Sequence, residues 1–113
     1  PGDMLFVDSS HMIRPGGDVL FEFLELIPRL RSGVVVQVHD VFTPSYYPRD
    51  WMFEKVMLWN EQYLLEALLA HNQRYEVIAA LAHLKNVQFD ALKRVCPYLA
   101  EDSEPGAFYF RVR

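Results

Sequence analysis

Two places in this chain bring acid–base groups together. In residues 4–12, MLFVDSSHM, an apolar run ends on Asp8, and His11 follows three positions later. In residues 34–40, VVVQVHD, a second apolar run ends on Asp40, with His39 beside it. If the two runs are neighbouring parallel strands, the backbones carrying these carboxylates lie ~4.8 Å apart. Such a pair repels unless a cation or a proton lies between its members. A hard divalent ion such as Mg²⁺ accepts a few carboxylate oxygens and keeps positions open for a substrate. An imidazole overhanging the same cleft, with an ordinary pKa of about 6.5, can take a proton from a hydroxyl near neutral pH. The pattern nominates Asp8 and Asp40 as metal ligands and His11 as the general base. His39 has two readings, a third ligand or a buried group bonded to backbone. For either aspartate alone, capping the following turn is the simpler role. The convergence of three polar groups on one rim is what points to chemistry.

The elements that would position these groups follow from periodicity. Residues 4–8 are continuously apolar up to Asp8, which predicts a strand buried on both faces. RPGG at 14–17 breaks the chain, and Asp18 is placed to cap a helix. Leu20, Phe23, Leu24, Ile27 and Leu30 then form a helical stripe, with Pro28 loosening the last turn and Gly33 as a stop. Residues 34–39 form the second strand, so strand, helix and strand make a right-handed βαβ unit. Residues 41–58, with two prolines and several aromatics, predict an ordered loop with little regular structure. Asn60 caps a helix whose buried side is Leu64, Leu65, Leu68 and Leu69. Residues 75–81 predict a strand and 87–99 a weaker helix with Val87, Leu92, Val95 and Leu99 apolar. Residues 107–113 predict a last strand. The order β-α-β-loop-α-β-α-β is an α/β pattern.

Composition bounds the function. The 113 residues fit one domain or part of one. Half are apolar, so a packed core is affordable, and the net charge of −4 argues against a nucleic-acid binder. No run approaches the roughly 18–20 residues that span a bilayer, so no membrane partner is expected. With one cysteine, no internal disulfide and no thiolate metal cluster can form, and a cytoplasmic location is the default. Cys96 is expected to be a small buried hydrophobe. His71 reads as structural at a helix end, His83 falls in a connection, and Arg14 and Arg49 either meet an anionic substrate or, more simply, are solvated or paired with nearby acids. Tyr46, Tyr47 and Trp51 are either a lid that stacks on a substrate or core that seals the end of the sheet.

Taken together, D-x-x-H at Asp8–His11, VHDVF at 38–42 and YPRDW at 47–51 resemble the later half of class I S-adenosylmethionine-dependent methyltransferases. The likeness is to the small-molecule and sugar O-methyltransferase branch, and it continues through WNEQYLLEALLAHN. It implies a Rossmann-like sheet whose strands here are the fourth to seventh, in order 4-5-7-6, with the last antiparallel and helices on both faces. It also implies that residues 1–113 are a single partial domain, the acceptor-side half, acting on a small-molecule acceptor with Mg²⁺ optional. Asp8 and Asp40 would be the metal ligands and His11 the base; His39 stands where some relatives carry a second acid. The glycine-rich loop that grips S-adenosylmethionine has no counterpart, since Gly16 and Gly17 form no G-x-G pattern after a strand. Cofactor-binding residues are therefore expected in a missing N-terminal half. That half, or a second subunit, would cover the first strand, and self-association into a homo-oligomer is expected of the chain alone. The alternative is a non-catalytic half-domain that dimerises or docks through that strand. A metal hydrolase using Asp8, His11, His39 and Asp40 is a third reading.

Overall fold

The computed structural model describes residues 2–113, organised around one four-stranded mixed sheet. Strand β1 (Met4–Val7) pairs in parallel with β2 (Val35–His39), Met4 opposite Val35 and Val7 opposite Val38. Strand β4 (Ala107–Val112) runs antiparallel to β2 on one side and to β3 (Tyr75–Ala80) on the other. The spatial order is β1-β2-β4-β3. The chain is thus a mixed α/β fold, as its periodicity predicts.

Alternation decides which side chains enter the core. Val7, Val36, Val38, Phe108, Phe110 and Val112 point to one face and are buried there with Tyr75. Helix α1 (Asp18–Phe21) and the turns after it cover that face with Val19, Phe23 and Ile27. Helix α3 (Glu61–Leu69) adds Leu65 to the same cluster. These two layers therefore share a face. On the opposite face of β1, Met4 is 58% and Phe6 55% exposed, so this strand is not buried on both sides as expected. Among the described residues it is an edge strand whose one sheet neighbour is β2.

The first helical segment departs from regular α geometry. Its α turn passes into a π turn at Glu22–Leu26 and a 3₁₀ turn at Ile27–Arg29. A π turn takes in an extra residue, so the inward positions fall four apart, at Val19, Phe23 and Ile27. Leu24, expected inside, is 60% exposed. Pro28 sits in the 3₁₀ turn, where a missing N–H is cheapest, and the chain is extended again by Leu30.

The rest differs in detail from the expected elements. The segment 41–58 contains a short helix, α2 (Arg49–Phe53). Helix α4 (Leu81–Val87) follows β3 directly, so His83 is helical, and α5 (Phe89–Val95) ends before Cys96, which is exposed. Cys96 is thus not core. In α3 the fully buried positions besides Leu65 are Glu61 and Gln62, while Leu64, Leu68 and Leu69 are only partly covered. Gln62 is satisfied internally: its carbonyl accepts the Phe42 N–H and its amide donates to the Ser45 carbonyl. No helix among the described residues is long and apolar enough to cross a membrane.

Candidate functional site

The site lies at the carboxyl ends of β1 and β2, where open parallel strands present their ligand-binding groups. The register that sets Val7 opposite Val38 brings Asp8 beside His39, and Asp40 follows one residue on. Asp40 and His11 both hold positive φ, 56° and 58°. A non-glycine residue in that region stores strain, and such residues concentrate at functional sites.

His11 is the centre of the arrangement. Its Nε2 is 3.3 Å from Asp8 Oδ1 and 3.7 Å from Asp40 Oδ2. Its Nδ1 is 2.7 Å from Glu61 Oε2. The Trp59 indole lies over the ring with centroids 4.3 Å apart. Burial alone would push the imidazole pKa down. The hydrogen bond and charge of Glu61, with the charges of Asp40 and Asp8, outweigh that and hold it above the ordinary 6.5.

The loop carrying these groups is pinned from two sides. Asp18, the first residue of α1, turns its carboxylate back to accept from the Ser10 N–H and hydroxyl. That hydroxyl bond is the first cause of an Asp18 pKa below the usual carboxylate value. Asp18 therefore holds the site loop in addition to facing its own helix start at the Val19 N–H. Ser9 donates to Glu22 on the π turn at 2.8 Å. On the other side, the His11 carbonyl accepts the Asn60 and Glu61 N–H groups, and Asn60 Oδ1 accepts the Ile13 N–H at 2.6 Å. Asn60, expected as a side-chain cap, spends its side chain on the site loop instead.

Close packing also fixes Asp40. The Val41 N–H donates to the Gly106 carbonyl, and a Cβ on Gly106 would meet Phe42 Cζ at 2.8 Å and Asp40 Cα at 3.1 Å. Only glycine lets the start of β4 approach the turn after β2 this closely.

Asp8, His11 and Asp40 each offer one ligand atom, and the three atoms lie within 4.8 Å of one another. Two carboxylates and an imidazole suit a divalent ion that accepts nitrogen as well as oxygen. The structure brings together the predicted trio but changes its partition, since His11 joins the possible ligands. His39 stands slightly apart: its Nδ1 is 3.2 Å from Asp40 Oδ1 and 3.9 Å from Asp8 Oδ1. That nitrogen is buried yet makes no well-aligned hydrogen bond among the described residues. The backbone-bonded reading of its ring nitrogen therefore fails at Nδ1.

The aromatic residues divide. Tyr47 is buried between Phe42, Trp59 and Tyr63, and its hydroxyl accepts the Gln62 N–H. Burial pushes its phenol well above the ordinary range. Trp51 is half-buried against Phe42 and Trp59, and Tyr46 points outward at 77% exposure. The cluster reaches the site through Trp59, which the sequence reading does not single out. Glu61 is the other omission. An acid opening a predicted helix reads as a surface residue favoured by the helix dipole, and only the fold reveals its imidazole partner.

A Cβ on Gly17 would collide with Arg14 Cγ at 2.8 Å, so its bareness serves the local turn. Comparison of the chain with protein-family models, with curated proteins and with solved structures found no match.

Proposed function

We propose that the chain is the acceptor-side half of a class I S-adenosylmethionine-dependent methyltransferase that methylates a hydroxyl on a small molecule. One observation carries the reading: His11 Nε2 meets Asp8 and Asp40 on the carboxyl-end rim of two parallel strands. The order β1-β2-β4-β3, with β4 antiparallel to both neighbours, supports it because it matches the expected order 4-5-7-6. S-adenosylmethionine, held by residues outside this chain, supplies the methyl group in such a protein. A divalent ion held by Asp8 and Asp40, where one is used, makes the acceptor hydroxyl more acidic. The chain's own part is proton removal. The acceptor O–H bond breaks, its proton moves to His11 Nε2, and its electron pair stays on the acceptor oxygen. The resulting imidazolium is stabilised by the surrounding carboxylates. Trp59 and Trp51 give the rim an apolar flank for the acceptor's carbon skeleton.

In the intact enzyme, His11→Ala is expected to lower turnover by roughly 10²–10⁴. An unchanged rate would remove His11 from the mechanism and the reading with it. A second reading, a non-catalytic module that docks through β1, is favoured by the exposed Met4 and Phe6 on that edge. It predicts full partner binding in the same His11→Ala protein and no methyl transfer by the wild type.

A further inference from the structure

The most unusual side chain in the molecule is Glu61. It is a carboxylate at 1% exposure, the first residue of α3, and fifty residues from the imidazole it meets. Removing a carboxylate from water costs several kcal/mol unless a partner of suitable geometry replaces the solvent. The partner is His11 Nδ1, 2.7 Å from Glu61 Oε2; the other oxygen, Oε1, is buried without a hydrogen bond among the described residues. A carboxylate only accepts, so this contact requires a proton on Nδ1.

From this geometry we infer that Glu61 is a positioning residue that locks the tautomer and orientation of His11. With Nδ1 carrying a proton, the lone pair of the neutral ring lies on Nε2, which faces Asp8 and Asp40. Three further contacts remove the alternatives. Trp59 covers one face of the ring, which opposes a ring flip. The His11 carbonyl is held by the Asn60 and Glu61 N–H groups, so residue 11 cannot drift from the start of α3. Asn60 Oδ1 ties Ile13 to the same helix end. Glu61 thus grips both the backbone and the side chain of one residue. When Nε2 takes a proton, the Glu61 carboxylate faces the new imidazolium across the same 2.7 Å contact. The inference rests on the proposed role of His11 and adds the residue that prepares it.

Nitrogen-15 NMR of the ring in the metal-free 113-residue chain, at a pH where the ring is neutral, reads the tautomer directly. The expected result is a protonated Nδ1 and a bare Nε2. The reverse assignment would overturn the inference without any variant having to fold. In the intact enzyme, Glu61→Gln is expected to lower kcat by about 10–100-fold with little change in the acceptor KM, because it disturbs orientation and not acceptor contact. In the same NMR experiment it should show mixed tautomers. An unchanged kcat with a single Nδ1–H tautomer in Glu61→Gln would show that the carboxylate is dispensable. The two failures are separable: an unchanged kcat in Glu61→Gln removes Glu61 alone, whereas an unaffected His11→Ala enzyme removes the base itself.

Discussion

At the residue scale, the site is one imidazole surrounded by three carboxylates, Asp8, Asp40 and Glu61. Its raised pKa has a consequence for stability. A histidine that binds its proton more tightly when folded adds stability that is complete below the unfolded value near 6.5. That stability is lost as pH rises through the folded value above it. Denaturant midpoints of the wild type should therefore fall as pH rises above about 6.5 and through the higher folded value. In His11→Gln that loss should be smaller, because no group at position 11 then titrates. Equal slopes in the two proteins would mean that His11 is not held in its charged form by these acids. The strain at His11 and Asp40, both at positive φ, is compatible with this view. Interactions around the ring repay the unfavourable backbone.

At the element scale, the site is made by what happens just beyond the strands. The turn after β2 needs Gly106 as a close neighbour, and Gly106→Ala would press on the buried Phe42 ring and on the Asp40 backbone. Overpacking of this kind costs about 1–3 kcal/mol, and the expected readout is a lower denaturant midpoint with an unchanged slope. The π turn makes a different prediction. Burial raises the Glu22 pKa above the ordinary carboxylate value, helped by the charges of Glu61 and Asp18 and opposed by the Ser9 hydrogen bond. A carboxyl that is harder to ionise when folded costs stability as pH rises above its unfolded value. Glu22→Gln keeps an acceptor for Ser9 and removes the charge. It should melt higher than the wild type at pH 7 and closer to it at about pH 4. A lower melting temperature at pH 7 would mean that the ionised form is the one the fold prefers.

At the scale of the whole molecule, one face of the sheet is covered by α1 and α3, while β1 presents Met4 and Phe6 outward from a free edge. An edge strand without proline, charge or bulge is a template for another strand. The far edge differs, because β3 carries an irregularity between Val77 and Ala79. Sedimentation velocity of the chain should therefore show self-association that Phe6→Glu reduces. A monomer at all concentrations tested would mean that this edge is sufficiently protected as it stands.

Much of the architecture was legible because strands and helices write their period into the chain. The four strands, the helix from Asn60, and the two acids ending β1 and β2 all follow from local pattern. So does the pairing of Asp8 with Asp40, since the carboxyl ends of adjacent parallel strands must meet. The burial of Phe23 and Ile27 was legible too, although the π turn replaced Leu24 with Val19 at the core. Tertiary structure alone decided the rest. It carried Glu61 and Trp59 across some fifty residues of sequence to His11, sent Tyr47 inward and Tyr46 outward, and left Cys96 in solvent. Periodicity reports which face of an element is apolar, not which distant element will arrive there. An acid at the start of a helix looks the same in sequence whether water or a histidine awaits it.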